Sequence, residues 1–225
     1  MAINLTKGQK IDLRKETGEK LTNFCVGVNW GAIETIKKGF FSSKKVIEDV
    51  DLDLSCIMTD TNGNLVDYIY SPEYNGYLQK NNLPLGKLTS QDGALRHSGD
   101  DRKGDQDGDD GLDNEIITVD LSRLDESVDK IFFFINIYLN QGQNFDFSHV
   151  PYAKIRMYEG TPSKVNKVFS EFDITTDASY ANKRALILGK LYKRNGDWKF
   201  DAIGDPTEDQ IFLQTITRIL NNHAK

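Results

Sequence analysis

The chain has 225 residues, 38% of them apolar and 28% charged, and a net charge of −6 at pH 7. That length and composition suit one large domain or two small ones with a sizeable core, and they exclude a disordered chain. No apolar run approaches the ~20 residues that cross a bilayer, and a chain without excess Lys and Arg does not suit nucleic acid.

The first ten residues, "MAINLTKGQK", contain no apolar h-region, so no signal peptide is expected. "FCVGVNW" (24–30) alternates as a strand does and stops at Gly31. Residues 35–45, "TIKKGFFSSKK", read as an exposed hairpin tip with solvated lysines. A sharper alternative is an anchor for anionic headgroups, with Phe40 and Phe41 between Lys37, Lys38, Lys44 and Lys45. "VDLDLSCIMTD" (50–60) alternates more cleanly, and Asn62-Gly63 supplies a hairpin turn before "NLVDYIY".

"EIITVDL" (115–121) is short and β-branched. "KIFFFINIYL" (130–139) is almost continuously apolar, as a strand covered on both faces should be. "YAKIRMYE" (152–159) alternates again, and 184–204 reads as two strands joined at Asn195-Gly196. Many short strands with polar turns predict an all-β fold, a sandwich of mostly antiparallel strands. A C-terminal helix follows from Asp205 as N-cap, Pro206 at the first helical position, Glu208 three residues after the cap, and Phe212, Ile216, Ile219 and Leu220 on one face. The expected division is a sandwich domain over 1–204 and a helix over 205–225 that packs on it or docks a partner.

Cys25 and Cys56 make no metal-ligand spacing. They read as buried thiols in a reducing compartment, with a single disulfide as the alternative. His97 and His149 read as structural.

The charge is not spread evenly. Residues 98–115, "SGDDRKGDQDGDDGLDNE", carry eight carboxylates against Arg102 and Lys103, a net −6 that equals that of the whole chain. Upstream, Asp49, Asp51 and Asp53 fall on one face of a strand, about 7 Å apart at ~3.3 Å rise per residue. Two readings compete: a solvated acidic insert, or a cage for a cation. Oxygen-only donors on a Gly-punctuated backbone suit calcium rather than zinc. An EF-hand does not fit: counted from Asp105, Asp107 and Asp109 match, but the sixth position is Asp110 where Gly is needed and the twelfth is Ile116 where Glu is needed.

At this point the sequence resembles the TerD family of tellurium-resistance and stress proteins. The resemblance rests on "DLDLSCIMTD", "ALRHSGDDRKGDQDGDD", "EIITVDLSRL", "GQNFDFSHVPYAKIR" and "YKRNGDWKFDAIG", in that order. It covers residues 1–204 and leaves out the C-terminal helix. It implies a cytoplasmic, calcium-binding β-sandwich that works with other stress-response proteins. Carried over by position, the implied calcium ligands are Asp51, Asp53, Asp100, Asp101, Asp107, Asp109, Asp110 and Glu115, enough carboxylate for two ions.

Three departures stand out. The family's G-W-D element reads Asn29, Trp30 and Gly31 here, so its aspartate is missing, and Asn29 offers a neutral oxygen. "GLDN" displaces Glu115 from the aspartate pair, with Asp113 as its substitute. "SPEYNGYLQKNNLPLG" lengthens the connection before the loop.

The expected role is a non-enzymatic scaffold or interaction module whose loop is ordered by calcium. The alternative is a calcium-dependent membrane-surface module. An enzyme is not expected, because no Gly-x-Ser-x-Gly element, phosphate loop or Cys–His arrangement is present. The sequence does not specify the oligomeric state.

Overall fold

Parity along the stretch Asp51–Thr59 organises the fold. Leu52, Leu54, Cys56 and Met58 enter the main core, and Asp51, Asp53 and Ile57 take the opposite face. The computed structural model describes residues 3–4, 6–15, 17–38, 42–140, 142–174 and 178–225.

The strands are β1 (Ile3–Asn4), β2 (Lys10–Asp12), β3 (Asn23–Trp30), β4 (Ile33–Lys38), β5 (Ser43–Glu48), β6 (Asp51–Thr59) and β7 (Leu65–Ile69). A 3-10 turn (Pro72–Tyr74) and a short helix α1 (Asn75–Lys80) follow. Then come β8 (Leu95–His97), β9 (Glu115–Asp120), β10 (Lys130–Tyr138), β11 (Ala153–Thr161), β12 (Lys164–Ile174), β13 (Ala185–Arg194), β14 (Asp197–Thr207) and α2 (Phe212–Asn222).

Two six-stranded sheets result, in the orders β1-β12-β11-β3-β9-β8 and β2-β14-β13-β10-β6-β7, with β4-β5 as a separate ribbon. Pairing is antiparallel except between β1 and β12. Val26, Val28 and Trp30 of the first sheet share one core with Leu52, Phe133 and Leu188 of the second. The structure is therefore the expected all-β sandwich. β10 is covered on both faces, as its continuous apolar run requires: Phe133 and Ile135 lie in the main core, Phe132 and Phe134 in a second one.

That second core is roofed by helices. Phe212, Ile216 and Ile219 of α2 and Leu78 of α1 pack with Ile57, Phe132, Phe134 and Ile187 on the outer face of the second sheet. Burial at i, i+4 and i+7 is the amphipathic pattern of a packed helix. Among the described residues, no helix is long and apolar enough to cross a membrane.

The start of that helix differs from expectation. β14 continues to Thr207, with Asp205 opposite Ile187 and Pro206 opposite Leu186. Pairing with β13 thus outweighs the capping pattern at Asp205. Pro206 fits because β2 pairs β14 only at 199–201, which leaves no N–H to supply on that side. The 71–86 connection carries α1, which periodicity left unmarked. Phe40 and Phe41 lie outside the described residues, as do the side chains of Lys37 and Lys38.

Candidate metal centre

The outward face of β6 sets the first cluster. Asp51 and Asp53 are 8% and 3% exposed, and Asp100 of the acidic loop closes on them. One oxygen from each of the three lies within 4.8 Å of the other two. Like charges that close repel strongly where water is scarce.

The carboxylates register that repulsion. Burial, then the charges of Asp100 and Glu115, push Asp51 up to about 8. Burial, then Asp51 and Glu115, raise Asp53 well above the usual carboxylate range. Tyr74 donates its hydroxyl to Asp53 Oδ2. Arg102 reaches Asp100 Oδ2 at 2.9 Å and Glu73 at 2.5 Å, so Asp100 is partly offset. Asp51 Oδ1 is buried and, among the described residues, has no hydrogen-bond partner.

The loop over 98–114 is held, not loose. Asp105 N donates to Trp30 O at 2.8 Å and Asp105 O accepts from Ala32 N at 2.9 Å, a bridge onto the end of β3. Gly104 makes that approach possible. Its φ is +65°, and a Cβ there would meet Trp30 Cδ1 at 2.4 Å. Asp105 also accepts from Asn29 Nδ2 (3.0 Å), Tyr152 OH (2.9 Å) and Asn114 Nδ2 (3.1 Å). With Asp109 and Asp110 it forms a second cluster, and those two are exposed.

The eight residues implied by sequence therefore separate. Asp51, Asp53 and Asp100 meet in the first cluster, and Asp109 and Asp110 in the second. Asp107 is exposed and joins neither. Asp101 caps the loop from within, accepting from Lys103 N and Gly104 N. Glu115 is 1% exposed and its two oxygens accept from Leu54 N (2.6 Å) and Asp101 N (3.1 Å). His97 Nε2 lies 3.3 Å from Glu115 Oε2, which gives His97 its structural role.

Asp113 does not take the place of Glu115. It lies over Gly27, where a Cβ would meet its Oδ2 at 2.1 Å, and it pairs with Arg156 Nε at 2.8 Å. Burial lifts it to about 6 against the pull of Arg156. Asp105 is the cluster member that sequence reading missed. Its distinguishing signal, pairing with the end of β3, is tertiary. Asn29 donates to Asp105 and to Leu112 O, while among the described residues its buried Oδ1 has no partner.

Cys25 and Cys56 are both free and buried, and burial raises both thiols. His149 closes a capping box with Asp146 beside the 147–149 turn.

The first cluster fits a hard cation. Its donors are oxygens only, two of its carboxylates are withdrawn from water, and among the described residues no group donates to Asp51 Oδ1. The second cluster offers similar chemistry in an exposed setting.

Comparison with known proteins agrees with the sequence and the fold. The TerD domain matches residues 1–218, a span that reaches into α2. The chain is 32% identical to stress response protein SCP2 of Bacillus subtilis (strain 168) over 97% of this chain and 99% of that one. It is 33% identical to tellurium resistance protein TerD of Serratia marcescens over 91% and 90%. Its fold is similar to the crystal structure of a homologue of telluride resistance protein (TerD) from Streptomyces coelicolor A3(2). That match has a TM-score of 0.57 and 16% identity over 91% of this chain and 98% of that one.

Proposed function

This chain belongs to the TerD family, and from that premise we propose that it is a calcium-binding stress-response protein that acts as a scaffold and not as an enzyme. The observation that carries the calcium reading is Asp51, a buried carboxylate with an unpartnered Oδ1 beside Asp53 and Asp100. Asp51, Asp53 and Asp100 would hold one ion, and Asp105, Asp109 and Asp110 a second. Bound calcium supplies the positive charge that offsets the carboxylate repulsion.

The chain's own contribution is to bring those groups together. β6 presents two aspartates on one face, and the loop delivers the third. Glu115 and the Asp105 bridge hold the loop against both sheets. A surface assembled in this way suits docking to other stress proteins in the cytoplasm. The buried thiols support a role without redox chemistry, since reduction of tellurite calls for a reactive thiolate or a redox cofactor.

Calorimetric titration of metal-stripped protein with calcium and with magnesium tests the reading. Calcium should bind more tightly, because magnesium keeps its waters and demands octahedral geometry. Equal or absent binding of both ions would overturn it.

The β4-β5 ribbon favours a second reading, calcium-dependent contact with a membrane surface. Ile36 on that ribbon is 70% exposed, near Lys44 and Lys45. Lys45 is engaged with Glu34 at 2.5 Å. Co-sedimentation with anionic vesicles, with and without calcium, separates this reading from the first.

A further inference from the structure

The outer face of the first sheet carries a groove of about 460 Å³, and its lining shares no residue with the carboxylate clusters. Strand register builds it. Arg96 of β8 lies opposite Thr118 of β9, and Thr118 lies opposite Cys25 of β3. Cys25 stands outside the main core, so this row faces outward and makes the floor, with the thiol sealed beneath it. Gly160 and Asn166 of the β11–β12 hairpin make one wall. Gly93 and Arg123, from the turns before β8 and after β9, make the other.

Two observations say what the groove takes. The first is a convergence of positive charge. A Cβ on Gly93 would lie 3.1 Å from Arg123 Nη2 and 3.9 Å from Arg96 Nη2, so both guanidinium groups reach one point. Both arginines are exposed, and among the described residues neither guanidinium is hydrogen-bonded or ion-paired. Two cations side by side without a counter-charge repel, and the Arg fork matches the oxygens of a phosphate.

The second is the state of the carboxylates in the same lining. Glu159 is paired with Lys15 Nζ at 2.9 Å, which offsets its charge. Asp120 is set beside Gly93 by the hydrogen bond from its N to Ala94 O at 2.8 Å. Asp120 Oδ1 accepts from Ser122 N at 3.0 Å and Ser122 Oγ at 2.5 Å, and among the described residues no group donates to its Oδ2. An ionised carboxylate only accepts, so Asp120 suits a hydroxyl and opposes a bare anion. Asn166, exposed across the groove, offers both a donor and an acceptor.

We propose that this groove binds the phosphate ester of a small polyol, in its simplest form a sugar phosphate. The phosphate accepts from Arg96 and Arg123 beside Gly93. Sugar hydroxyls donate to Asp120 Oδ2 and exchange hydrogen bonds with Asn166. Gly93 leaves the room, since a side chain there would occupy the point where the guanidinium groups meet. The volume falls within the range of about 300–1,000 Å³ typical of small-molecule sites. The proposal does not depend on calcium at the carboxylate clusters.

The test uses ribose 5-phosphate, with ribose and inorganic phosphate as controls. It is run on the full chain with chelator present, so that contact between phosphate and calcium cannot contribute. In nitrogen-15 spectra of the wild-type protein the ester should shift the Gly93 amide and the Arg96 and Arg123 Nε–H signals to saturation. It should bind at least about tenfold more tightly than either control, because each control keeps only part of the contacts. Arg96→Gln and Arg123→Gln should each weaken the ester by about tenfold, as loss of a charge-assisted hydrogen bond requires. Absence of saturable shifts, shifts confined to other parts of the chain, inorganic phosphate binding as tightly as the ester, or unchanged affinity in either variant would overturn the proposal. The wild-type spectra decide the matter if a variant does not fold.

Discussion

Glu115 Oε2 accepts a hydrogen bond from Leu54 N at 2.6 Å, and so a carboxylate at the start of β9 ties the first sheet to β6 of the second. Its other oxygen holds Asp101 N at the entry to the acidic loop. Glu115 is thus a buried strut beneath the candidate metal centre. Glu115→Ala leaves the buried Leu54 N–H and the part-buried Asp101 N–H unmatched and should cost about 2–4 kcal/mol. Urea denaturation measures that loss. In Glu115→Gln, which keeps one acceptor, calorimetry should still show calcium binding; its disappearance would make Glu115 a ligand.

Asp51 should behave in the opposite way. Asp51→Asn replaces a carboxyl that must take up a proton to be buried near neutral pH, so the metal-free protein should become more stable there. The same change removes a ligand, so the rise of Tm on adding calcium should shrink. In the wild type, a hundredfold excess of calcium over its Kd adds about 2.7 kcal/mol. Thermal melts of both proteins with chelator and with calcium check both halves.

The raised Asp51 value also sets a pH dependence. Between about 4, its value in an unfolded chain, and about 8 in the fold, the folded state holds a proton that the unfolded chain has released. Stability of the metal-free protein should therefore fall as pH rises through that window. Calcium must displace the same proton, so its affinity should weaken as pH drops below 8. Calorimetry in buffers of different ionisation enthalpy should detect the released proton. Proton release that is absent at pH 7 would contradict the assignment.

Asn29→Asp places a carboxylate beside Asp105, where an amide now donates at 3.0 Å. The metal-free variant should lose about 1–3 kcal/mol, since a donor becomes a repelling acceptor. Calcium should recover more stability in the variant than in the wild type. Paired melts with and without calcium measure this.

Asp209 anchors the approach to α2. It accepts from Arg218 Nε at 2.9 Å and Nη2 at 2.8 Å, and from Thr207 Oγ1 at 2.7 Å. Burial raises its carboxyl, but Arg218 and Thr207 outweigh burial and hold it below the usual range. The stability it contributes is present above the unfolded value of about 3.9 and is lost as pH falls through the lower folded value. Asp209→Ala should cost about 1–3 kcal/mol near neutral pH and progressively less in acid, measured by denaturant titration.

Local pattern was enough for much of this. Alternation at 50–60 and the apolar run at 130–139 marked β6 and β10, because strand parity alone decides which side chains face inward. It failed where contacts come from far along the chain. β12 carries charged and half-exposed residues, so its periodicity is weak. The capping pattern at Asp205 yielded to the ladder with β13.

The same division runs through the candidate site. Sequence by itself determined that excess negative charge is concentrated in 98–115, that Asp51 and Asp53 share a face, and that the chain resembles its family, since these depend on residue identity and short-range geometry. Only the tertiary structure decided that Asp100 and Asp105 join clusters, while Asp101 and Glu115 accept from loop and strand N–H groups and Asp113 pairs with Arg156. That sorting depends on where the loop crosses the ends of β3 and β6, and no spacing along the chain encodes it.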